Sequence, residues 1–256
     1  MPIVTVSVLL LIGCFRTVKP AHDVVALPHV GEDFPHGGFE LVLQQYVNDD
    51  GLVDYAGLRD DRADLDSYTS LLAACSPDSH PELFGTPNDE LAYWLNAYNA
   101  LAVTGVIDRP GLTAVNDNLA GFFYLTRYRL GGDRVSLYKL ENHIIRGRYG
   151  DPRIHWALNC QSAGCPVFDN EVFVADILDA QLDAAARAFV TDPANVRVEH
   201  GKVKISQIFE WYAEDFEAAG GPVAYINSAG GEVRTDLEVE VIPYDWTLLA
   251  QPGRAP

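Results

Sequence analysis

Basic residues are scarce in this sequence. Of its 256 residues, 18 are Lys or Arg and 36 are Asp or Glu, which gives a formal net charge of -18 at pH 7. A surface that negative repels phosphate backbones, and it offers no basic stripe that would release condensed counterions from DNA or RNA. The charge balance therefore excludes nucleic acid as a partner.

Cysteines are also few, at 4 in the whole chain. This count excludes a small fold stapled by disulfides, which needs a much higher cysteine density. Apolar residues, in contrast, are plentiful: 48% of the chain is hydrophobic and 21% is charged. Disordered chains have the opposite composition, so the sequence predicts a folded protein with enough length for a sizeable core.

The N-terminal segment has the features of an export signal. Residues 1–13 form an apolar run, MPIVTVSVLLLIG, and Cys14 follows at once. The run is too short to cross a bilayer as a helix. Leu11-Ile12-Gly13-Cys14 resembles a bacterial lipobox, in which the cysteine is acylated and becomes the new N-terminus. We therefore expect a lipoprotein signal peptide over 1–13 and a lipid anchor at Cys14; the alternative is an ordinary secretion signal with an incidental cysteine.

The predicted location follows from this segment. Phe15, and not Asp, follows the cysteine, which indicates the periplasmic face of the outer membrane in a Gram-negative cell. Without acylation of Cys14, the protein would be secreted or periplasmic. Export signals normally open with Lys or Arg, which residues 1–13 lack, so we expect a translation start slightly further upstream. Residues 14–35 are rich in proline and predict a tether, so the membrane is contacted only through the lipid.

The rest of the chain, residues 36–256, predicts one α+β domain. Runs with helical spacing of apolar residues cover 39–47, 65–75, 88–106, 137–148, 171–190 and 206–216, and hairpin signals cover 122–138 and 195–205. Short strands are predicted at 153–158 and 239–246. Because the order lacks regular βαβ alternation, repeats and Gly/Ser linkers, we expect a single domain of several helices packed on short antiparallel hairpins.

Three polar side chains lie where core residues are expected. Asn96 and Asn99 share one face of an apolar and aromatic helix. Buried amides usually bond nearby backbone, but these could also orient a catalytic group or a substrate carbonyl. Glu141 falls within the apolar stripe of its helix, where a carboxylate needs partners. It is predicted either to pair with Arg148 or Arg153, or to serve a catalytic site with a raised pKa.

The most distinctive segment is His-x4-Cys-x4-Cys, formed by His155, Cys160 and Cys165. Three explanations remain open. The cysteines form a structural disulfide, as exported thiols tend to do; or one is a nucleophile with His155 as base and Glu141 or Asn96 as the orienting group; or all three bind a metal with Glu141. Cys75, in an apolar helix end, is predicted to be an inert core thiol.

Several of these residues lie in motifs that resemble the domain of unknown function 547 family. The motifs are Val53-Asp54-Tyr55, the run from Tyr93 to Ala100, the run from Leu140 to Arg146, Asp151 to Cys160 with Ser162 to Pro166, and Tyr244-Asp245-Trp246. Their order and spacing match the family over nearly all of 39–249. The family pattern ends in an Asn where this chain has Leu249.

The resemblance implies exported or lipid-anchored bacterial relatives and no established reaction. It supports Asn96, Asn99, Glu141, His155, Cys160 and Cys165 as the candidate catalytic residues. Our leading hypothesis is a lipid-anchored envelope protein with a Cys/His/Glu site for thiol-dependent acyl transfer or amide hydrolysis, needing no cofactor or metal. The alternative is a non-catalytic envelope binding or assembly module with a structural Cys160–Cys165 disulfide. Its substrate or envelope protein partner is unknown.

Overall fold

Helices and two small sheets make up the computed structural model, which describes residues 15–22, 27–29 and 34–256. The predicted signal peptide and the predicted lipid anchor at Cys14 lie outside the described residues. Within the described ranges, no helix is long and apolar enough to cross a membrane. The mixture of helices with short sheets confirms the predicted α+β class.

The regular elements, in chain order, are as follows. The helices are α1 (Gly37–Tyr46), α2 (Tyr55–Asp60), α3 (Ala63–Ala74), α4 (Pro87–Ile107), α5 (Leu137–Lys139), α6 (Arg146–Tyr149), α7 (Leu178–Thr191), α8 (Ile208–Trp211) and α9 (Pro222–Ser228). Wide π turns cover Ala120–Leu125 and Leu140–Ile145, and 3-10 turns cover Pro81–Leu83, Val115–Asn118, Pro152–Trp156, Ala175–Ile177 and Ala213–Ala219. The strands are β1 (Arg16–Thr17), β2 (Thr126–Leu130), β3 (Asp133–Val135), β4 (Val196–Glu199), β5 (Lys202–Ser206) and β6 (Glu238–Ile242).

Each sheet is an antiparallel hairpin extended by one parallel strand. β2 and β3 form the first hairpin, closed by Gly131 and Gly132, whose φ angles of 54° and 89° suit a tight turn. β4 and β5 form the second. β1, from the segment predicted as a tether, pairs in parallel with β2, and β6 pairs in parallel with β5. Both hairpins were predicted from the sequence. β6 was predicted as a strand but not as the partner of β5, and β1 was not predicted.

The long helix α4 runs through the main core. Thr86 and Asp89 form a capping box at its start, with Pro87 in the first turn, and both are recognisable in the sequence. Every residue from Leu91 to Ile107 is buried. A helix that is apolar on all sides needs neighbours all round, so α4 places Asn96 and Asn99 deep inside the protein.

A second hydrophobic cluster forms around Trp156. Its ring stacks on Phe189 at 4.2 Å, and its Nε1 donates to the Tyr225 hydroxyl at 2.7 Å. Trp156 belongs to this cluster, whereas Ala157 and Leu158 belong to the main core. The chain therefore passes from one cluster to the other just before it reaches Cys160.

The predicted strand at 153–158 is wrong, because Pro152–Trp156 is a 3-10 turn. Asp151 accepts a hydrogen bond from the Arg153 backbone N–H at 2.9 Å, and Pro152 occupies the first position of the turn. A proline and a capping carboxylate at the start favour a helical turn over a strand. The predicted strand 239–246 is too long and ends at Ile242, since Pro243 has no N–H for the ladder.

Candidate functional site

Asn99 holds the chain in place just before Cys160. Its Nδ2 donates to the Ala157 carbonyl at 3.0 Å, and its Oδ1 accepts from the Asn159 N–H at 2.9 Å. The Asn159 side chain then donates to the Pro166 carbonyl at 2.8 Å. These bonds fix both ends of the loop that carries the two cysteines, which we call the thiol loop (residues 159–166).

Asn96 makes an equivalent pair of hydrogen bonds to the backbone further along the chain. Its Nδ2 donates to the Phe173 carbonyl at 2.8 Å, and its Oδ1 accepts from the Phe173 N–H at 2.9 Å. Across the described residues, no hydrogen bond joins Asn96 or Asn99 to His155 or to either thiol. Both amides thus bond backbone groups and support the loops on either side.

The thiol loop contains a strained and fully buried glutamine. Gln161 has φ of 71°, in the left-handed region, with no exposed surface. Tyr55 donates to its Oε1 at 2.8 Å, and Leu249 N–H donates to its carbonyl at 3.1 Å. A non-glycine residue in this region costs on the order of 1 to 3 kcal/mol and persists where surrounding structure enforces it, often at functional sites.

The two cysteines of the loop face each other as free thiols. Their Sγ atoms lie 2.9 Å apart, and the Cys160 N–H donates to the Cys165 sulfur at 3.0 Å. The Tyr244 hydroxyl lies 3.1 Å from the Cys160 sulfur and 2.9 Å from that of Cys165. Among the described cysteines, which also include Cys75, none forms a disulfide. The disulfide considered from the sequence is therefore not present.

The hydrogen bonds make the two thiols chemically unequal. The hydrogen bonds with Cys165, Ser162 and Tyr244 lower the pKa of Cys160, and together they outweigh the opposing effect of burial. Burial raises the pKa of Cys165 well above its ordinary value. The thiolate is the nucleophilic form of cysteine, so Cys160 is the more readily ionised and the more reactive of the two thiols.

Cys75 provides a contrast with Cys160. It is fully buried at the end of α3, and burial raises its pKa to about 11. At pH 7 such a thiol is ionised in only about one molecule in ten thousand. This fits the inert core thiol predicted from the sequence.

His155 is paired with a carboxylate that the sequence did not reveal. Its Nε2 lies 2.7 Å from Asp215 Oδ2. Arg146 donates to both oxygens of the same carboxylate, from Nε at 2.7 Å and from Nη2 at 2.8 Å. Burial alone would raise the pKa of Asp215. The hydrogen bonds and charges of His155 and Arg146 lower it by more than burial raises it, so the pKa lies well below its ordinary value. The carboxylate bonded to His155 is thus Asp215, whereas Glu141 and Asn96, the orienting groups proposed from the sequence, bond other residues.

Glu141 lies in the π turn between α5 and α6 and bonds two tyrosines. Tyr98 donates to its Oε2 at 3.0 Å, and Tyr212 donates to its Oε1. The Tyr212 ring also stacks on the His155 ring at 4.1 Å, and the Arg146 guanidinium lies over the Tyr212 ring at 4.7 Å. Burial and Glu141 raise the pKa of Tyr212, which keeps its proton for this hydrogen bond. Wide turns inside helices are frequent at functional sites.

The ion pairs predicted for Glu141 are wrong. Arg148 bonds both oxygens of Asp78, at 2.6 and 2.8 Å. Arg153 instead contacts Asp151 and reaches the α7 carboxylate of Asp183 at 2.8 Å. Both arginines therefore pair with carboxylates other than Glu141. A buried carboxylate can instead be satisfied by hydroxyl donors, and the sequence pattern did not indicate which tyrosines these would be.

These groups meet at a cavity of about 80 Å³. Its lining includes Glu141, His155, both thiol-loop cysteines and the aromatic side chains Tyr98, Phe123, Trp211, Tyr212, Tyr244 and Trp246. In the described part of the chain, no hydrogen bond joins His155 to either thiol. The same part contains no group of three or more His, Cys, Asp or Glu side chains that could hold a metal ion. The arrangement is a thiol pair and a histidine–carboxylate pair around one small cavity.

Comparison with known proteins identifies the segment that carries most of this cavity. Residues 84–190 match the family described as "Protein of unknown function, DUF547". The resemblance predicted from the sequence is thereby confirmed over these residues. A search of curated proteins and a search of solved structures found no match.

The DUF547 match holds all six predicted catalytic candidates but not every residue at the cavity. Tyr212, Asp215 and Tyr244 follow the matched residues 84–190. They reach the site from the second cluster and from the segment after β6. The DUF547 segment therefore contributes the thiols and His155, while later parts of the chain contribute the groups that bond them.

Gly164 allows the segment after β6, which carries Tyr244 and Asp245, to approach the thiol loop closely. A Cβ at this position would lie 2.8 Å from the Tyr244 ring and 2.9 Å from the Asp245 backbone nitrogen. We expect Gly164→Ala to reduce the free energy of unfolding by about 1 to 3 kcal/mol, as overpacking does, measured by urea denaturation. Gly37→Ala is the control, because its Cβ would meet nothing within 4 Å. Equal stabilities of the two variants would contradict the close approach.

Proposed function

We propose that this protein is a thiol-dependent acyl transferase or amide hydrolase with Cys160 as its nucleophile. One observation carries the proposal: the Cys160 thiol, within hydrogen-bond distance of Cys165 and Tyr244, shares a small cavity with His155, which is bonded to Asp215. A nucleophile, an imidazole and an orienting carboxylate are the parts that acyl transfer needs.

The reaction would begin with attack of the Cys160 thiolate on a substrate carbonyl carbon. A C–S bond forms and the carbonyl oxygen takes up negative charge; the Tyr244 hydroxyl, 3.1 Å from the Cys160 sulfur, is our proposed donor to this oxygen. His155 gives a proton to the leaving amine, which departs as the C–N bond breaks. His155 then takes a proton from the incoming water or amine, which attacks the thioester and releases Cys160.

Asp215 and Tyr212 would keep His155 ready for this proton transfer. The carboxylate binds Nε2 and stabilises the protonated ring, while the stacked Tyr212 ring limits its rotation. The cavity of about 80 Å³ places Cys160 and His155 on the walls of one space that a substrate carbonyl can enter.

An activated ester tests the proposal without knowledge of the natural substrate. Purified protein is incubated with p-nitrophenyl acetate, and digested peptides are analysed by mass spectrometry. We expect release of nitrophenol with transient gain of one acetyl group on Cys160. Cys75→Ser should behave as the native protein, and Cys160→Ser should lose the adduct. Acetylation of Cys165 in preference to Cys160, or no adduct on either, would contradict the proposal and leave the non-catalytic binding or assembly module.

We also propose that the protein works in the cell envelope, anchored by lipid at Cys14. The support is the sequence Leu11-Ile12-Gly13-Cys14 after an apolar run and the net charge of -18, which keeps the domain off an anionic membrane surface. Its partner would be a small substrate or another envelope protein. Expression in a Gram-negative host with labelled palmitate should give a lipid-labelled protein in the outer-membrane fraction. Cys14→Ala should abolish the label, and a label that persists in this variant would contradict the anchor.

A further inference from the structure

We infer that Cys160 and Cys165 form a reversible disulfide when a peroxide oxidises the site, and that this bond switches the nucleophile off. The inference goes beyond the proposed acyl chemistry, because it needs only the two thiols and an oxidant. It also differs from a permanent structural disulfide, since the resting state is the pair of free thiols that the structure contains.

The thiol loop already holds the sulfurs close to bonding distance. They lie 2.9 Å apart, against about 2.05 Å in a disulfide. The Cys165 N–H donates to the Ser162 carbonyl at 2.9 Å, which closes the turn between the two cysteines. Since both residues lie on one short loop, closing the bond requires only a small movement of side chains.

Both reactivity and access favour oxidation at this pair. Cys160 is the sulfur whose ionised form is stabilised by neighbouring donors, and thiolates are the species that peroxides oxidise. Cys165 is partly exposed, so a small oxidant can reach the pair from solvent. A nearby second thiol is the usual feature that diverts such oxidation to a disulfide.

The chemistry balances in two steps. The Cys160 thiolate attacks one peroxide oxygen, the O–O bond breaks, and the leaving hydroxide takes a proton to become water, which leaves Cys160 as a sulfenic acid. The Cys165 sulfur then attacks the Cys160 sulfur, its proton leaves with the hydroxyl group as a second water, and the S–S bond forms. The two thiols lose two electrons, and hydrogen peroxide gains them.

Two contacts of the native site change on oxidation. The Cys160 sulfur is bonded to Cys165 and can no longer act as a nucleophile. The Tyr244 hydroxyl then no longer has a thiolate as its hydrogen-bond partner. Cys75 does not compete as a partner, because it is fully buried at the end of α3. The switch is therefore confined to the thiol loop.

The test is mass spectrometry of native protein treated with hydrogen peroxide and digested without reductant. We expect loss of two hydrogens and a peptide linked through Cys160 and Cys165, with full return to thiols after dithiothreitol under native conditions. Cys75→Ser should give the same link. Cys165→Ser should instead gain oxygen on Cys160, because its resolving thiol is missing.

Three results would overturn the inference. They are oxygen adducts on Cys160 without a link in the native protein, a link to Cys75, and a Cys160–Cys165 bond that dithiothreitol cannot reduce in the folded state. All three readouts are independent of ester hydrolysis, so they separate this inference from the proposed function. If the protein also acetylates on Cys160, the oxidised form should lose that reaction and regain it after reduction.

Discussion

Replacing Asp215 by alanine is expected to lower the free energy of unfolding by about 3 kcal/mol, since removal of one partner from a largely buried ion pair leaves the other uncompensated. The Arg146 side chain is only 16% exposed and makes two bonds to this carboxylate. His155 loses its partner at the same time. Chemical denaturation at neutral pH measures the change.

Asp183→Ala is the matched control for Asp215→Ala. The Asp183 carboxylate also binds an arginine, Arg153, but it is 71% exposed. Exposed pairs contribute about 0 to 1 kcal/mol, so this variant should remain close to the native stability. Equal losses in the two variants would show that Arg146 and His155 do not depend on Asp215.

The effect of Asp215 should also depend on pH. Its pKa is lower in the folded protein than in the unfolded chain, because of the bonds from His155 and Arg146. Its contribution to stability is therefore fully present above the unfolded pKa of about 4, and it is lost as the pH falls through the lower folded pKa. The difference between native protein and Asp215→Ala should hold at pH 7 and shrink below about pH 4. A difference that grows on acidification would contradict this sign.

Glu141→Leu is the second substitution with a large expected effect. It removes the acceptor for the hydroxyls of Tyr98 and Tyr212. Each buried hydroxyl left without a partner costs about 1 to 3 kcal/mol, so we expect a loss of about 3 kcal/mol in the free energy of unfolding. Because Tyr212 stacks on His155, reaction of the site with p-nitrophenyl acetate should also slow.

Glu141→Gln removes one of the two acceptor oxygens and keeps the other. Since Tyr98 and Tyr212 donate to different oxygens of Glu141, glutamine can accept from only one of them, so it should cost about 1 to 2 kcal/mol, less than the leucine. If Gln and Leu destabilise the protein equally, the hydroxyl bonds do not explain why a carboxylate is buried here. If neither variant is destabilised, the tyrosines have other partners.

Local signals in the sequence predicted the parts of the fold that local physics decides. The capping box of Thr86 and Asp89 and the long apolar run after it locate the start of α4 correctly. The hairpin turn at Gly131 and Gly132 was equally plain. β1 and β6 were missed as partners because parallel pairing joins segments far apart in sequence, and no short pattern records which segments meet.

The candidate site could be predicted only in part for the same reason. The thiols, His155 and Glu141 were found because each breaks the pattern of its own segment. Asp215 lies 60 residues from His155, in a stretch with several other acidic residues, so nothing in the sequence distinguished it. Tyr212 and Tyr244 resemble ordinary core aromatics until the fold brings their hydroxyls to Glu141 and to the thiols.

The claim that Cys160 is a reactive thiol is tested most directly by the rate of its alkylation as a function of pH. Native protein is treated with iodoacetamide for short times, quenched, and digested, and the labelled fraction of each cysteine is measured against the same protein in denaturant. We expect Cys160 to be labelled first, with a rate that rises at a lower pH than in the denatured chain, because neighbouring donors stabilise its thiolate. Cys75 should stay unlabelled, and Tyr244→Phe should move the Cys160 profile to higher pH. A native profile for Cys160 at or above that of the denatured chain would contradict the thiol-centred site.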